Sequence, residues 1–108
     1  MTGKFNYKIL LSPEAEMDIE EAVEWYENQK ETLGLEFAMD FENALKFLYS
    51  NPKLYAIIYK EVRNVLLKKF PYAIFYVIKE EKKEVQIFAV VHEKRNPEVW
   101  KFRLELID

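Results

Sequence analysis

The sequence contains no cysteine and has no long apolar run. The lack of cysteine excludes a disulfide framework and thiolate chemistry, and a reducing cytoplasm is the natural setting for such a chain. The longest uninterrupted apolar runs are about seven residues, whereas a membrane-spanning helix needs roughly 18. The apolar run near the N-terminus is also too short for a signal peptide. We therefore expect a soluble cytoplasmic protein with no membrane partner.

The composition is that of an ordered chain with an uneven charge. Half of the 108 residues are hydrophobic and 16% are aromatic, which argues against disorder and predicts one domain over residues 1–108. Up to Tyr59 the chain has 5 Lys/Arg and 11 Asp/Glu, and from Lys60 onward it has 11 and 8. The basic second part is compatible with a polyanionic or acidic partner, although ordinary solvated lysines explain most of it.

Three apolar runs in the second half predict antiparallel strands, over Val62 to Phe70, Tyr72 to Ile78 and Val85 to Val91. Pro71 and the charged run Lys79 to Glu84 separate them. Because every position of the middle run is apolar, both of its faces must be covered, and we place it at the centre of a sheet.

The first half predicts a strand followed by two helices. Phe5, Tyr7, Ile9 and Leu11 form the apolar face of a short strand. Ser12 is a preferred N-cap before a first helix, and Pro13 suits the first helical position. Each helix carries a core-facing stripe. These stripes are Ala15, Ile19, Ala22, Val23 and Tyr26 in the first helix and Phe37, Phe41, Ala44, Leu45 and Leu48 in the second, which we place over Leu35 to Tyr49.

The two helices are joined so tightly that we expect an antiparallel hairpin. Leu54 to Tyr59 is either an extended lead-in or already a paired strand. After the sheet, Asn96-Pro97-Glu98 predicts the start of a short C-terminal helix carrying Val99, Trp100 and Leu104. The order β-α-α-β-β-β predicts an α+β fold, in which the helical hairpin packs on a mostly antiparallel sheet.

The order and spacing of these residues resemble the RelE/ParE superfamily, the toxins of type II toxin–antitoxin systems, and more closely its ParE-like plasmid-stabilisation branch. The resemblance covers nearly the whole chain. It rests on Leu11-Ser12-Pro13-x-Ala15, Asp18-Ile19, Trp25-Tyr26, Phe37, Phe41, Leu45, Pro52, Arg63, Phe70-Pro71-Tyr72-x-Ile74-x-Tyr76 and Ile87-x-Ala89-Val90-x-His92-x-x-Arg95-x-Pro97-x-x-Trp100.

The resemblance implies the β-α-α-β-β-β fold and a growth-inhibiting bacterial toxin held inactive by a cognate antitoxin. The antitoxin's C-terminal segment would wrap the toxin's helices and sheet edge, and a homodimer or a heterotetramer with the antitoxin are open alternatives. ParE-like members poison DNA gyrase, whereas RelE-like members cleave mRNA in the ribosome. Fold alone does not choose between these targets.

Metal-free RNA cleavage needs a base, an acid and cations against the developing phosphorane charge. His92, Arg63 and Arg95 are the catalytic candidates if the protein is a ribonuclease; His92 is otherwise a structural residue at a strand end. The ribosomal toxins are typically strongly basic, and docking among phosphates favours that charge. The sequence pI of about 5.3 therefore favours the ParE-like alternative. A third alternative is an inactive toxin that survives as a binding module.

The candidates for contact with a target or antitoxin are Trp25, Arg63, Tyr72, Tyr76, Arg95 and Trp100. Trp25 falls off the apolar stripe of its helix, so it either covers the sheet edge or serves as an exposed interface anchor. Tyr72 and Tyr76 are either core residues or part of a base-stacking platform. We interpret the acidic face of the first helix as solvated and predict no metal or cofactor. That face consists of Glu14, Asp18, Glu20, Glu21, Glu24 and Glu27.

Overall fold

The computed structural model describes residues 6–105. Phe5 of the predicted first strand lies outside the described residues. The strands are β1 Lys8–Leu11, β2 Ile57–Tyr59, β3 Val62–Leu66, β4 Tyr72–Lys79 and β5 Glu84–His92. The α-helices are α1 Pro13–Gln29, α2 Leu33–Ser50 and α3 Val99–Leu104, and two 3-10 turns cover Pro52–Leu54 and Glu80–Lys82.

The strands form one sheet in the order β1-β5-β4-β3-β2. β1 pairs with β5 in parallel, and all the other neighbours pair antiparallel. β4 lies in the middle, and its first six residues are buried, as expected of an apolar run covered on both faces. The α+β fold with a mostly antiparallel sheet, a helical hairpin and a short C-terminal helix is confirmed.

The structure decides one open alternative and corrects two predicted boundaries. Within Leu54 to Tyr59, residues Ile57–Tyr59 form a paired strand, which adds one strand to the order and gives β-α-α-β-β-β-β. The strand predicted to run to Phe70 ends at Leu66, because the amide of Lys69 donates to the carboxylate of Asp40 (2.8 Å) and the chain turns there. α2 begins at Leu33, two residues before the predicted start.

Local contacts explain where the helical hairpin begins and turns. Ser12 caps α1, as predicted, by accepting a hydrogen bond from the amide of Ala15 (3.0 Å). Glu27 at the end of α1 accepts from the amides of Thr32 (3.0 Å) and Gly34 (2.9 Å), which satisfies free donors at the start of α2. A Cβ at Gly34 would lie 2.5 Å from the carbonyl oxygen of Val23. Only glycine fits this approach of the two helices.

Each face of the sheet has its own core. The hairpin covers one face, where Phe37, Ile74 and Ile87 are almost fully buried. α3 covers the opposite face with Trp100. The pairing of β4 with β5 shifts register between Phe75 and Tyr76, and consecutive residues Phe88 and Ala89 both face the α3 core, as a β-bulge allows.

An ion pair joins the two sides of the sheet. Arg103 of α3 makes a bidentate contact with Asp18 of α1, with nitrogen–oxygen distances of 2.6 and 2.9 Å. Asp18 also accepts from the amide of Val90 in β5 (2.9 Å), and Arg103 donates to the carbonyl of Phe88 (3.2 Å). The hydrogen bonds to Asp18 raise the pKa of Arg103. α1, β5 and α3 therefore meet at one charged contact.

Within residues 6–105, no helix is both long enough and apolar enough to cross a membrane. In the same part of the chain, no three His, Cys, Asp or Glu side chains are grouped so that they could hold a metal ion.

We expect Asp18→Ala to lower the free energy of unfolding by about 2–4 kcal/mol, because it leaves Arg103 and the Val90 amide without their partner in a largely buried position. Urea denaturation followed by tryptophan fluorescence measures this change. Glu20→Ala, on the exposed face of α1, is the matched control and should stay within about 0.5 kcal/mol of the parent. Equal stabilities of the two variants would contradict the importance of the ion pair.

Candidate functional site

Four predicted residues come together where β4 begins and β5 ends. Tyr72 and His92 are direct neighbours in the sheet register, and the turn after His92 carries Arg95. Trp25 of α1 lines the same cavity of about 190 Å³. We call this group of Trp25, Tyr72, His92 and Arg95 the Arg95 site.

The guanidinium of Arg95 is held between two aromatic side chains. Its Cζ lies 5.0 Å from the centroid of the Trp25 ring, a cation–π contact. Its Nη2 donates to the hydroxyl of Tyr72 at 3.2 Å. Trp25 is 44% exposed and Arg95 is exposed, so the site presents one oriented cation on an open aromatic surface.

A packed aromatic cluster supports the site from below. Tyr72 is 7% exposed, and its ring lies against Tyr26 (6.0 Å) and Phe37 (5.0 Å). Tyr26 also meets Trp25 edge to face at 5.0 Å. Burial raises the pKa of Tyr72, although Arg95 opposes this shift. The hydroxyl therefore stays protonated and uses its lone pairs to accept from Arg95.

His92 uses its imidazole inside the turn. Its Nδ1 accepts from the amides of Lys94 (3.0 Å) and Arg95 (3.2 Å), and its ring meets Tyr72 edge to face at 5.3 Å. Burial, and next Arg95, lower the pKa of His92. The Nδ1 atom is therefore already occupied by two backbone amides and is not available to act as a general base.

Arg63 and Tyr76 lie elsewhere, next to each other on β3 and β4. Arg63 donates to the carbonyl oxygens of Lys53 (3.2 Å) and Tyr55 (2.6 Å). Tyr76 is fully buried and donates to the carbonyl of Pro52 (2.7 Å), and burial raises its pKa. Both side chains hold the segment that leads from α2 into the sheet.

Of the three candidate catalytic residues, His92 and Arg95 lie together, whereas Arg63 lies apart from them. Arg63 is opposite Tyr76 and His92 is opposite Tyr72. This arrangement separates the two residues by two strand spacings across the sheet and four residues along it, about 16 Å between Cα atoms. The guanidinium of Arg63 is moreover engaged by the carbonyls of Lys53 and Tyr55.

Trp100 belongs to the core under α3. It is 8% exposed, stacks on Phe75 with ring centroids 5.0 Å apart, and meets Tyr59 edge to face at 5.9 Å. Its predicted role in contacting a partner stays a prediction, and so do the roles of Arg63 and Tyr76.

A second cavity, of about 220 Å³, lies beside His92 on the sheet face that α3 packs against. Among the described residues its lining includes one carboxylate, Glu93, and no lysine or arginine. The other lining residues are Asn64, Leu66, Ala73, Phe75, Val91, His92 and Pro97. A phosphoryl group placed there would find no cation to balance its developing charge.

A groove of about 350 Å³ runs between α2 and β3, and its lining combines apolar side chains with Asp40, Asn43, Lys46 and Lys68. Phe47 and Leu66 line it, and each is about half exposed. Leu54 and Ile57, close by in the segment before β3, are 70% and 53% exposed. Since β2 is the edge strand of the sheet, this side of the molecule combines exposed apolar side chains with an open strand edge.

The acidic face of α1 was expected to be solvated, but two of its residues have partners within the fold. Asp18 binds Arg103, and Glu27 caps α2. Asp18 and Glu21 also line the Arg95 cavity together with Ala22 and Trp25. The spacing i, i+3, i+4, i+7 of these four residues is the helical-face signal that would have placed them together.

Several solved structures share this fold. The chain is similar to a chain of the chromosomal ParDE toxin–antitoxin system from P. aeruginosa, with a TM-score of 0.70, 18% identity, and coverage of 82% of this chain and 97% of that one. A variant of the E. coli toxin RelE in the free state matches with a TM-score of 0.64, 16% identity, and coverage of 95% and 99%. At these identities the likeness shows the fold, which is that of the RelE/ParE superfamily.

The sequence identifies the family within this superfamily to which the chain belongs. A family model described as ParE toxin of type II toxin-antitoxin system, parDE, matches residues 9–97. This chain belongs to the ParE toxin family, and the predicted membership of the RelE/ParE superfamily is confirmed. No curated protein matches it.

The two arginines should respond differently to truncation. We expect Arg63→Ala to lower the free energy of unfolding by about 1–3 kcal/mol, because two backbone carbonyls lose a charged donor. Arg95→Ala should cost less than about 1 kcal/mol, since Arg95 is an exposed side chain. Thermal and urea denaturation of the two variants, measured side by side, test this order, and a larger loss for Arg95→Ala would contradict it.

Proposed function

We propose that this ParE-family toxin arrests growth by binding DNA gyrase in the cytoplasm, that it performs no catalysis, and that a cognate antitoxin neutralises it. The observation that carries the proposal is the Arg95 site. It presents an oriented guanidinium and an exposed tryptophan, the residue types that dominate protein interfaces.

The electrostatics support a binding role over RNA cleavage. The Cα atoms of His92 and Arg63 are about 16 Å apart, and the second cavity lined by His92, on the sheet face that α3 packs against, has no lysine or arginine in its described lining. The chain has a net charge of −3, which disfavours docking among ribosomal phosphates. Arg95 itself is engaged by Trp25 and Tyr72, as a preorganised recognition group would be.

The alternative function is that of a RelE-like, ribosome-dependent mRNA endonuclease. His92 and Arg95 are adjacent in the structure, which supports this alternative because a base and a cation belong together in RNA cleavage. An inactive toxin that only binds its antitoxin is the remaining alternative.

Growth after induction of this protein alone, with labelled thymidine and methionine followed in parallel, separates the three functions. We expect early loss of thymidine incorporation, since gyrase poisoning stops DNA synthesis first. Immediate loss of methionine incorporation with cuts in translated mRNA would instead establish the endonuclease. Undisturbed growth would leave the inactive binding module.

We expect Trp25→Ala and Arg95→Ala each to weaken binding to purified gyrase by about tenfold or more, because truncation of an interface anchor costs at least 1–2 kcal/mol. Lys94→Ala is the matched control, since Lys94 is an exposed cation next to Arg95. Supercoiling inhibition at graded toxin concentration measures the effect. Parent-like inhibition by both variants would remove the Arg95 site from the target interface.

We further propose that the antitoxin segment docks on the groove between α2 and β3 and along the edge of β2. Structures of toxin–antitoxin complexes share this fold, among them RelBE2 from Mycobacterium tuberculosis, with a TM-score of 0.56, 18% identity and coverage of 81% of this chain and 98% of that one. The exposed Phe47, Leu54, Ile57 and Leu66 supply apolar contacts, and β2 supplies unpaired backbone groups.

A charge on this edge should block the antitoxin. Ile57→Lys is expected to weaken antitoxin binding by about tenfold or more, because a lysine on an edge strand opposes pairing with another chain and loses apolar contact. Met17→Lys is the control, since Met17 is similarly exposed, at 57%, but lies on α1. Calorimetry with the product of the adjoining reading frame measures both. Equal affinities would refute docking on this edge.

A further inference from the structure

The only histidine of the sequence is placed at the start of the turn that carries Arg95. His92 is the last residue of β5, and its Nδ1 accepts hydrogen bonds from the amides of Lys94 and Arg95, at 3.0 and 3.2 Å. A ring nitrogen that accepts hydrogen bonds carries no proton. The imidazole is therefore neutral, with its proton on Nε2.

Other hydrogen bonds fix the ends of this turn but not its middle. The amide of Glu93 donates to the carbonyl of Pro71 (2.9 Å), and the amide of Asn96 donates to the carbonyl of His92 (3.3 Å). The amides of Lys94 and Arg95 have the imidazole as their acceptor. Loss of that acceptor would free the middle of the turn and leave its ends attached.

The position of the Arg95 backbone decides where its guanidinium lies. Nη2 reaches the Tyr72 hydroxyl at 3.2 Å, and Cζ lies 5.0 Å from the Trp25 ring. Both partners stand on regular elements, β4 and α1, and Tyr72 is buried. The turn is the one irregular element of the site, so its conformation controls the alignment of the cation.

We propose that His92 is the positioning residue of the Arg95 site: its neutral imidazole holds the 92–96 turn, and protonation of Nδ1 releases Arg95 from Trp25 and Tyr72. This inference rests on the proposed function for its biological meaning, since it makes recognition by the site dependent on pH. The positioning itself is a property of the chain alone.

The charged groups around His92 determine whether protonation of its ring is favoured or disfavoured. Lys94 and Arg95 on the same turn disfavour the protonated ring, and Glu93 favours it. Tyr72 faces it from β4 and is uncharged, while Asp18 and Glu21 of α1 line the same cavity. Arg103 of α3 neutralises Asp18.

Burial and the two cations lower the pKa of His92 below its ordinary value of 6.5. The unfolded chain therefore binds this proton more readily than the folded one. The stability that the imidazole contributes is complete above about pH 6.5 and is lost as the pH falls through the lower, folded pKa.

Nuclear magnetic resonance of the full-length, ¹⁵N-labelled chain tests the proposal without any partner. With one histidine, the imidazole nitrogens give two assignable signals. We expect the Nε2–H tautomer at pH 7.5 and a midpoint below 6.5. The indole signal of Trp25 should shift with the same midpoint, while the indole signal of Trp100 should not. A protonated or Nδ1–H ring at pH 7.5 would overturn the proposal.

Two variants separate positioning from simple packing. His92→Asn keeps a side-chain acceptor that can bond the amide two residues on, as in an Asx turn, whereas His92→Ala has none. We expect amide exchange at Lys94 and Arg95 to accelerate about tenfold in His92→Ala, the factor set by loss of modest hydrogen bonds. His92→Asn should retain the protection and lose the pH dependence. If both variants exchange alike, the ring acts only by packing on Tyr72 and the proposal fails.

Growth arrest by the two variants then distinguishes this inference from the proposed function. Arrest retained in His92→Asn and weakened in His92→Ala supports both. Normal arrest in both variants, together with the expected exchange rates, would mean that His92 positions Arg95 but that the Arg95 site does not contact the target. The proposed role of the site would fail, and the positioning role would stand.

Discussion

The carboxylate of Asp18 joins three parts of the molecule that are distant in the sequence. It faces Arg103 from the other end of the chain and the amide of Val90 in β5. β1 pairs with β5 only as far as Ile87, so the outer edge of β5 beyond that residue lacks a neighbouring strand. Asp18 and Arg103 take the place of that strand, because one accepts from the Val90 amide and the other donates to the Phe88 carbonyl. These two backbone groups at the outer edge of β5 therefore have hydrogen-bond partners although no strand lies beside them.

The bulge at Phe88 has a related consequence for the site. It turns two consecutive side chains towards α3 and returns Val90 to the helical hairpin. His92 then ends the strand beside Tyr72, at the rim of the aromatic cluster under α1. Trp100 is buried on the opposite face. Trp25, Tyr72 and Arg95 thereby meet at the sheet end, whereas Trp100 packs in the core under α3.

Membership of the ParE family explains the architecture of this chain. The chemical character of its candidate site depends on a small group of side chains. Chains with 16–18% identity adopt this fold in both ParDE and RelE systems, so the fold does not specify the target. In this chain the sheet end carries one arginine, stacked on an exposed tryptophan and held by a buried tyrosine. The cation of this arrangement is oriented by its two aromatic partners, and its histidine is engaged by the backbone amides of the turn.

The elements were predictable from local signals. Each of these signals depends only on residues that are close together in the sequence. They are the apolar periodicity, the Ser12-Pro13 helix start and the uninterrupted apolar run of β4. The early end of β3 was not predicted, because the hydrogen bond from Lys69 to Asp40 joins residues 29 positions apart in the chain. The pairing of Ile57 with Arg63 decided the alternative that the sequence had left open for Leu54 to Tyr59.

The difference between local signals and distant contacts also explains which site residues could be predicted from the sequence. By itself the sequence determined the α+β fold, the family, and Trp25, Tyr72, His92 and Arg95 as candidates, since these residues lie in recognisable motifs. Only the tertiary structure decided that these four meet, whereas Arg63 and Tyr76 hold the segment before β2 and Trp100 packs under α3. Strand register, the bulge and the Asp18–Arg103 contact set those distances. They depend on residues that are separated in the chain, such as Tyr72 and His92, 20 positions apart, and Asp18 and Arg103, 85 positions apart.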